Sequence, residues 1–248
     1  MNWRIAGNGI THSERLEHAR IHGAHMHGIQ TWVALPNDDE EIDPGFWHHP
    51  ADSLPTWTET SLRGRMIAGA AECMDAGAKV NSPLFYMHWD MDAGASRGVP
   101  GEHAERAVYL TEGAIEVAGQ ALMPGQMAVL GKGDLRVKAL APSTVMVLGG
   151  EPVGERFIFW NFVPSSKARL NAAKEDWKQG RMKLPDGDVR SSRRCRRGDV
   201  GRVSTPVGLD QTGTIADKER PMLKCFLATA ALLGMCAPSF AQGDKIWL

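Results

Sequence analysis

His12 and Glu14 are the residues whose types and spacing are best suited to chemistry, and they lie near the start of the chain in the string GNGITHSE. The string reads as a β-strand, and side chains two positions apart on a strand point to the same face. An imidazole and a carboxylate on one face suit iron, manganese or zinc. Because metal sites usually have three or four protein ligands, the sequence predicts half of a metal site, with His12 and Glu14 as metal ligands.

Composition places the chain among ordinary globular proteins, with 248 residues of which 43% are hydrophobic and 23% charged. A formal net charge of -1 gives no overall attraction to nucleic acid or anionic membranes, so neither is predicted as a partner. The 27 glycines and 14 prolines favour an all-β fold. The four cysteines have no CxxC spacing and support neither a disulfide framework nor a thiolate zinc site. The N-terminus carries no signal peptide, which favours a cytoplasmic location.

The chain changes character towards its end. The segment 189–202 holds six arginines in fourteen residues and has no apolar period. From 222 to 241 a short positive start, an apolar run and a small-x-small pattern follow the order of a secretory signal peptide. We interpret residues 186–248 as a disordered tail that a frameshift or a lost stop codon has fused to the body. The alternative is a hydrophobic C-terminal helix that packs on the body.

Residues 1–55 read as a first unit and residues 56–185 as a second. In the first unit we predict a turn at 7–9, a strand over 28–35, and a Pro- and acid-rich connector that contains the solvated run 38–41.

The second unit reads as a series of short strands separated by turns, which is typical of a sandwich or jelly roll. Strands are predicted near 83–89, 127–130, 135–140, 145–148 and 157–162. Between the first two, residues 106–110 and 115–117 are predicted to pair as a hairpin. Four side chains of this hairpin are expected to face the core: Val108, Leu110, Ile115 and Val117.

One amphipathic helix is predicted near the end of the second unit. Ser165 or Ser166 is expected to cap its first turn, and Gly180 to end it. Its apolar stripe has the spacing of one helical face and consists of Leu170, Ala173 and Trp177. We expect this stripe to pack on the body of the protein.

Several stretches of the sequence resemble the pirin family of double-cupin proteins. They are GNGITHSE, HGIQTWVALP with FWHHPADSLP, NSPLFYMHWDMDAGA, ERAVYLTEGAIEVAGQ, and GGEPVGERFIFWNFVPSS followed by KEDWKQGRM, in the family's order over residues 3–185. The resemblance implies an all-β double cupin, with two jelly-roll β-barrels side by side and one late α-helix. Here it implies an incomplete first barrel with its linker over 1–55, and a complete second barrel with the helix over 56–185.

The resemblance also implies one metal ion, usually iron, held in the first barrel by three histidines and one glutamate. Two of these ligands lie in an H-x-E motif that matches His12 and Glu14. The other two lie in a His-Pro-His stretch further upstream in the family, and no such stretch precedes His12 in this chain. We therefore expect a start site upstream of Met1 or a damaged gene, and we do not expect the chain by itself to hold the metal.

The remaining histidines are not predicted as ligands. His25 and His27 have H-x-H spacing and are the alternative by which the site could be completed, although the family's residue at the place of His27 is not a ligand. In the second barrel His103 lies near Arg106, which takes the place of a cupin glutamate, so no metal is predicted there. His88 is interpreted as a core or interface residue.

The resemblance implies three alternative functions. In the first, the intact protein is an iron-dependent flavonol (quercetin) 2,3-dioxygenase, and Glu14 is both a ligand and the base that removes the flavonol hydroxyl proton. In the second, it is a redox-sensing iron protein that binds a regulatory partner through the acidic run 38–41. In the third, this chain is an inactive fragment. We expect most of the tryptophans Trp3, Trp32 and Trp47 to serve in core packing. At most one of these indoles is expected to stack on a flavonoid.

Overall fold

The computed structural model describes residues 1–12, 21–23 and 28–186, and the backbone of two short strands at 206–209 and 226–227. Within these ranges the chain forms sixteen β-strands, two short 3-10 helices (Asn37–Asp39 and Ala51–Ser53) and the helix α1 (Lys167–Lys178). The strands are β1 (Asn2–Ile5), β2 (Trp32–Val33), β3 (Gly45–His48), β4 (Thr56–Glu59), β5 (Leu62–Ala71), β6 (Met74–Asp75), β7 (Leu84–Met91), β8 (Ser96–Gly98), β9 (Glu105–Glu112), β10 (Ile115–Val117), β11 (Gln120–Leu122), β12 (Met127–Leu130), β13 (Arg136–Ala139), β14 (Ser143–Gly150), β15 (Pro206–Leu209) and β16 (Phe226–Leu227).

Two sheets that face each other form the centre of the protein. The large sheet has the order β15-β12-β9-β14-β7-β5-β4, with β6 paired to β5, and the small sheet has the order β11-β10-β13-β8. Fully buried side chains from both sheets, such as Trp89 on β7 and Val137 on β13, fill the space between them. This arrangement confirms the predicted all-β cupin fold.

Strand β7 is buried on both of its faces. Its odd-numbered side chains point into the core between the two sheets and are fully buried: Phe85, Met87 and Trp89. Its residues Leu84 and Tyr86 lie on the outer face, in a second apolar cluster. Side chains of the first unit pack against this cluster: Met1, Trp3, Ile29 and Val33. Apolar residues occur on both faces of β7 because the large sheet lies between two packed layers.

The predicted hairpin of 106–110 with 115–117 is wrong. Strand β9 pairs with β12 and β14 in the large sheet, whereas β10 pairs with β11 and β13 in the small sheet. The chain crosses between the sheets at Gly113, where φ is +90° and a Cβ atom would lie 2.2 Å from the carbonyl oxygen of Pro142. The four side chains expected to face the core do so, because both sheets enclose the same core: Val108, Leu110, Ile115 and Val117.

Two predicted strands are shorter than expected or missing. Residues 157–162 form no strand; Phe159 and Phe162 make an isolated bridge around Trp160, whose φ is +52°. In the segment 28–35 only Trp32–Val33 pairs as a strand. Trp160 and Phe162 from one segment, and the residues of 28–35 from the other, contribute to the walls of a cavity.

Helix α1 confirms the sequence prediction. The hydroxyl of Ser166 accepts a hydrogen bond from the amide of Arg169 at 3.2 Å and caps the first turn. Gly180 follows the last turn with φ +68°. Trp177 is buried, with 4% of its surface exposed, and its ring centroid lies 5.0 Å from that of Trp160. The apolar stripe therefore holds the helix against the loop that contains Trp160.

The acidic run 38–41 is not the solvated loop that the sequence predicts. Glu40 is buried, and its carboxylate accepts hydrogen bonds from the amide and the hydroxyl of Ser165 at 2.7 and 2.8 Å. The Nε atom of Arg156 lies 3.5 Å from the same carboxylate. Glu41 forms an ion pair with Arg169. Through these contacts the connector packs against the start of α1.

Two short strands of the region 186–248 pair with the body. Strand β15 is parallel to β12, and β16 is antiparallel to β2. The arginine-rich segment 189–202 and nearly all of the signal-peptide-like segment 222–241 lie outside the described residues, so disorder, a fused tail and the domain limits remain predictions. Among the described helices, none combines the length and the apolar composition that crossing a bilayer requires.

Candidate functional site

A cavity of about 1280 Å³ lies between the first unit and the outer face of the large sheet. Its lining comes from β1 and the residues up to His12, from the segment 28–35, from β5, β7 and β14, from the loop 160–164 and from α1. Ligand pockets commonly have volumes of about 300–1,000 Å³. The cavity therefore has room for a ligand of several fused or linked rings.

Aromatic side chains form much of the cavity wall. They are Trp3, Trp32, Tyr86, Trp160, Phe162 and Trp177. The ring of Trp3 is held in place, because its indole Nε1 donates a hydrogen bond to the carbonyl of Lys79 at 2.7 Å. Flat aromatic faces favour offset or edge-on contact with other rings. The wall therefore suits a planar aromatic ligand better than a flexible aliphatic one.

A β-bulge on strand β5 shapes the wall opposite the first unit. The register between β5 and β7 shifts at Ile67, so that Met66 pairs with Met87 and Ala68 pairs with Tyr86. The extra residue is Ile67, whose side chain lines the cavity. The sequence analysis did not predict this bulge, because an inserted residue can be recognised only when the partner strand and its register are known.

The phenol of Tyr86 is one of the buried polar groups that line the cavity. The hydroxyl of Thr31 donates a hydrogen bond to the phenol oxygen over 2.9 Å. Burial raises the pKa of Tyr86 to about 12, although the hydrogen bond from Thr31 acts in the opposite direction. The phenol is therefore protonated at neutral pH and can donate a hydrogen bond.

We expect the raised pKa of Tyr86 to make stability fall in alkali. The contribution is present in full below pH 10.0, the ordinary pKa, and is lost as the pH rises towards about 12, because the unfolded phenol ionises first. Urea unfolding at pH 8 and pH 11 should show about 1 kcal/mol more loss in the wild type than in Tyr86→Phe. Equal losses in the two proteins would contradict this assignment.

His12 lies at the edge of the cavity, but not on a strand. After β1 the chain turns at Gly7, where φ is +50° and a Cβ atom would lie 2.0 Å from the carbonyl oxygen of Ile42. The expectation of a strand at His12 is therefore wrong: β1 pairs with β3 over residues 2–5 only, and residues 9–12 form a loop after the turn. Glu14, the predicted base and second ligand, lies outside the described residues.

The described residues do not by themselves fit a metal centre. Nη1 of Arg4 lies 3.1 Å from Nε2 of His12. A guanidinium has only donors, so Nε2 accepts this bond and does not face a metal in this arrangement. No group of three or more His, Cys, Asp or Glu side chains that could hold a metal occurs in the described ranges. His25 and His27 lie outside those ranges.

Two other described histidines, His88 and His103, have partners that explain their positions. Nε2 of His88 lies 3.6 Å from a carboxylate oxygen of Asp90, on the outer face of β7. Nδ1 of His103 lies 3.1 Å from a carboxylate oxygen of Glu151, and its ring stacks on Phe85. These contacts agree with the interpretation of both histidines as structural residues.

Arg106 fills the interior of the second barrel. It is 3% exposed, and its Nη2 atom donates to the carbonyl oxygens of Gly131 and Gly133 at 2.6 and 2.9 Å. Burial lowers the pKa of this guanidinium below its usual range. A buried cation bonded to carbonyl oxygens occupies the place where a cupin metal ligand was sought, and the absence of a metal from this barrel stays a prediction.

A second pocket, of about 670 Å³, opens near β8 and is lined mainly by charged side chains. Arg97 pairs there with Glu59 and, at 2.6 Å, with Glu72. Its guanidinium also lies 5.3 Å from the ring centroids of Trp57 and Trp89. The guanidinium of Arg97 is thus already held by groups of the chain, so the aromatic cavity remains the better candidate site.

Known proteins share both the sequence and the fold. Residues 86–183 match the profile of the pirin C-terminal cupin domain. A pirin-like protein of Caulobacter vibrioides is 55% identical over 191 residues, which are 76% of this chain and 66% of that protein. A protein of Pseudomonas aeruginosa, named as a candidate quercetin 2,3-dioxygenase, is 35% identical over 185 residues, which are 73% of this chain and 57% of that protein.

The crystal structure of a quercetin 2,3-dioxygenase from Acinetobacter baumannii has a similar fold. It matches with a TM-score of 0.56 and 23% identity, over 65% of this chain and 55% of that chain. The chain thus spans about two thirds or less of the length of these proteins. Taken with the two-sheet core and the capped late helix, the similarity shows that the chain belongs to the pirin family.

Proposed function

We propose that the aromatic cavity binds a flavonol and that the intact protein is an oxidoreductase of the quercetin 2,3-dioxygenase type. The observation that carries this proposal is the cavity, which is large enough for a three-ring ligand and whose wall includes six aromatic side chains and His12. The name of the Pseudomonas relative supports the choice of a flavonol among planar aromatic ligands.

The proposed metal is iron, for which this chain would contribute His12 and Glu14. Bound iron would supply the reaction of the flavonol with dioxygen. Because Nε2 of His12 accepts a hydrogen bond from Arg4 and the described residues offer no ligand group, we assign the oxidation to the intact protein only. The part assigned to this chain is binding.

Binding would rest on contact with the walls and on the exclusion of water. The rings of Trp3 and Trp160 offer flat apolar surfaces, and the side chain of Ile67 adds aliphatic contact. A planar ligand that covers these surfaces removes apolar area from water, which favours association. The same burial would shield the ligand from side reactions with solvent.

The experiment that tests the cavity uses two substitutions on α1. Ala173 lines the cavity, whereas Ala168 lies exposed on the same helix. Ala173→Trp is expected to raise the dissociation constant for quercetin at least tenfold, because the indole occupies space that the ligand needs. Ala168→Trp should leave that constant unchanged. Quenching of tryptophan fluorescence by quercetin, checked by calorimetry, measures the constants.

Two results would reject the proposal. Equal quercetin affinity in both variants would place the ligand outside the cavity. A protein with a full ligand set that binds quercetin and ferrous iron, yet consumes no dioxygen, would remove the dioxygenase assignment and leave binding alone.

The structure makes the acidic run 38–41 a weaker candidate surface for the alternative function, a partner-binding iron sensor. It relied on the acidic run 38–41 as a free surface for a basic partner. Three of the four carboxylates contact other parts of the chain: Asp39 accepts from Asn81 at 2.9 Å, Glu40 binds Ser165, and Glu41 pairs with Arg169. We therefore do not argue this function further.

A further inference from the structure

We propose that Tyr86 determines the specificity of the cavity, by donating a hydrogen bond from its phenol to a carbonyl oxygen on a planar aromatic ligand. This inference rests on the ligand-binding part of the proposed function and adds the chemical feature that the ligand must carry.

Tyr86 presents a buried hydroxyl among apolar side chains on the outer face of the large sheet. The residue lies on the outer face of β7, is 7% exposed, and lines the cavity. Its neighbours on the same face include Leu84 and Met146, which are also buried. A hydrogen bond formed in such surroundings is stronger than one formed in water. A buried hydroxyl that lacks its hydrogen bond there therefore loses more free energy than an exposed one.

Thr31 determines what the phenol can still do. Its hydroxyl donates to the phenol oxygen over 2.9 Å, so Tyr86 serves as the acceptor in this pair. The phenol's own proton must then point elsewhere. Among the described residues, Thr31 is the hydrogen-bond partner of the Tyr86 hydroxyl, and Tyr86 lines the cavity. A ligand oxygen is therefore the available acceptor.

The chemistry of a phenol donor favours a carbonyl over other groups. Burial raises the pKa of Tyr86, so the group donates over the whole physiological pH range. A carbonyl conjugated to a flat ring system lies in the plane of that system and can reach the phenol while the rings contact the aromatic wall. A ring system without an acceptor would leave the buried hydroxyl unpaired, which disfavours its binding.

The test compares flavone, which has the carbonyl, with flavan, which lacks it. Dissociation constants for both compounds are measured by fluorescence quenching for the wild type, Tyr86→Phe and Tyr109→Phe. Tyr109 is the matched control, since it is a buried tyrosine of the same cluster that does not line the cavity.

The expected result is a change in the ratio of the two constants. In the wild type flavone should bind more tightly than flavan, and Tyr86→Phe should reduce this preference about tenfold by weakening flavone binding alone. Tyr109→Phe should leave the preference unchanged. Thr31→Val, which frees the phenol to rotate, should reduce the preference by a smaller factor and serves as a second variant if Tyr86→Phe does not fold.

The outcomes separate this inference from the proposed function. If the wild type binds neither compound, both the cavity proposal and the role of Tyr86 are overturned. If the wild type and both Tyr86→Phe and Thr31→Val bind the two compounds with the same preference, the cavity proposal stands and the role of Tyr86 is overturned.

Discussion

Arg106→Glu is expected to lower the free energy of unfolding by more than about 4 kcal/mol. The guanidinium donates to the carbonyl oxygens of Gly131 and Gly133 from a position that is 3% exposed. Glutamate would remove those donors and place a carboxylate against the same oxygens, where it has no partner. Urea denaturation followed by tryptophan fluorescence measures the change, although the variant should be largely unfolded without added osmolyte.

Two further variants separate the loss of hydrogen bonds from the burial of a charge. Arg106→Met keeps the length of the side chain and leaves carbonyl oxygens unpaired, for a loss of about 2 kcal/mol. Lys138→Met, on the exposed side of β13, should stay within about 0.5 kcal/mol of the wild type. If Arg106→Glu were as stable as the wild type and took up one metal ion, the second barrel would be a latent metal site and our interpretation would be wrong.

Glu40→Ala is expected to lower the free energy of unfolding by about 3 kcal/mol. The substitution leaves the amide of Ser165 without its acceptor, and it leaves the guanidinium of Arg156, which lies 3.5 Å from the carboxylate, next to an apolar group. Asp38→Ala is the matched control on the same connector, because Asp38 is exposed and should change the stability by less than about 0.5 kcal/mol.

The effect of Glu40→Ala should also be local to the start of α1. Glu40 joins the connector to Ser165, the residue before the helix cap at Ser166. Amide hydrogen exchange in the first turn of α1 should therefore become faster in the variant, while exchange in β7 changes only with global stability. Uniform acceleration across the chain would contradict a local role for this carboxylate.

Local patterns were sufficient to predict the elements whose signals lie within a few residues. The cap at Ser166, the stripe ending at Trp177 and the stop at Gly180 follow from spacing along one helix, and the structure has all three. The inward direction of Val108 and Ile115 likewise follows from alternation alone. The family was also accessible from the sequence, because its motifs occur in order along most of the chain.

The sequence carried less information about the candidate site. It predicted His12 and Glu14 from their spacing, but the contact between His12 and Arg4 depends on how the chain turns at Gly7. The continuous apolar run in β7 could have predicted more, because apolar residues at successive positions of a strand indicate burial on both of its faces. That signal points to Tyr86, but not to Thr31 as its partner.

Sequence by itself thus determined the all-β class, the late helix and the pirin membership of this protein. Only the tertiary structure decided that β9 and β10 belong to different sheets, that Glu40 lies buried against Ser165, and that aromatic residues from distant segments enclose one cavity. The physical reason is that alternation and capping depend on neighbours along the chain. Strand partners, buried ion pairs and cavity walls depend on contacts between segments tens of residues apart. Many different pairings of the same elements are compatible with the local patterns, so these patterns do not select one of them.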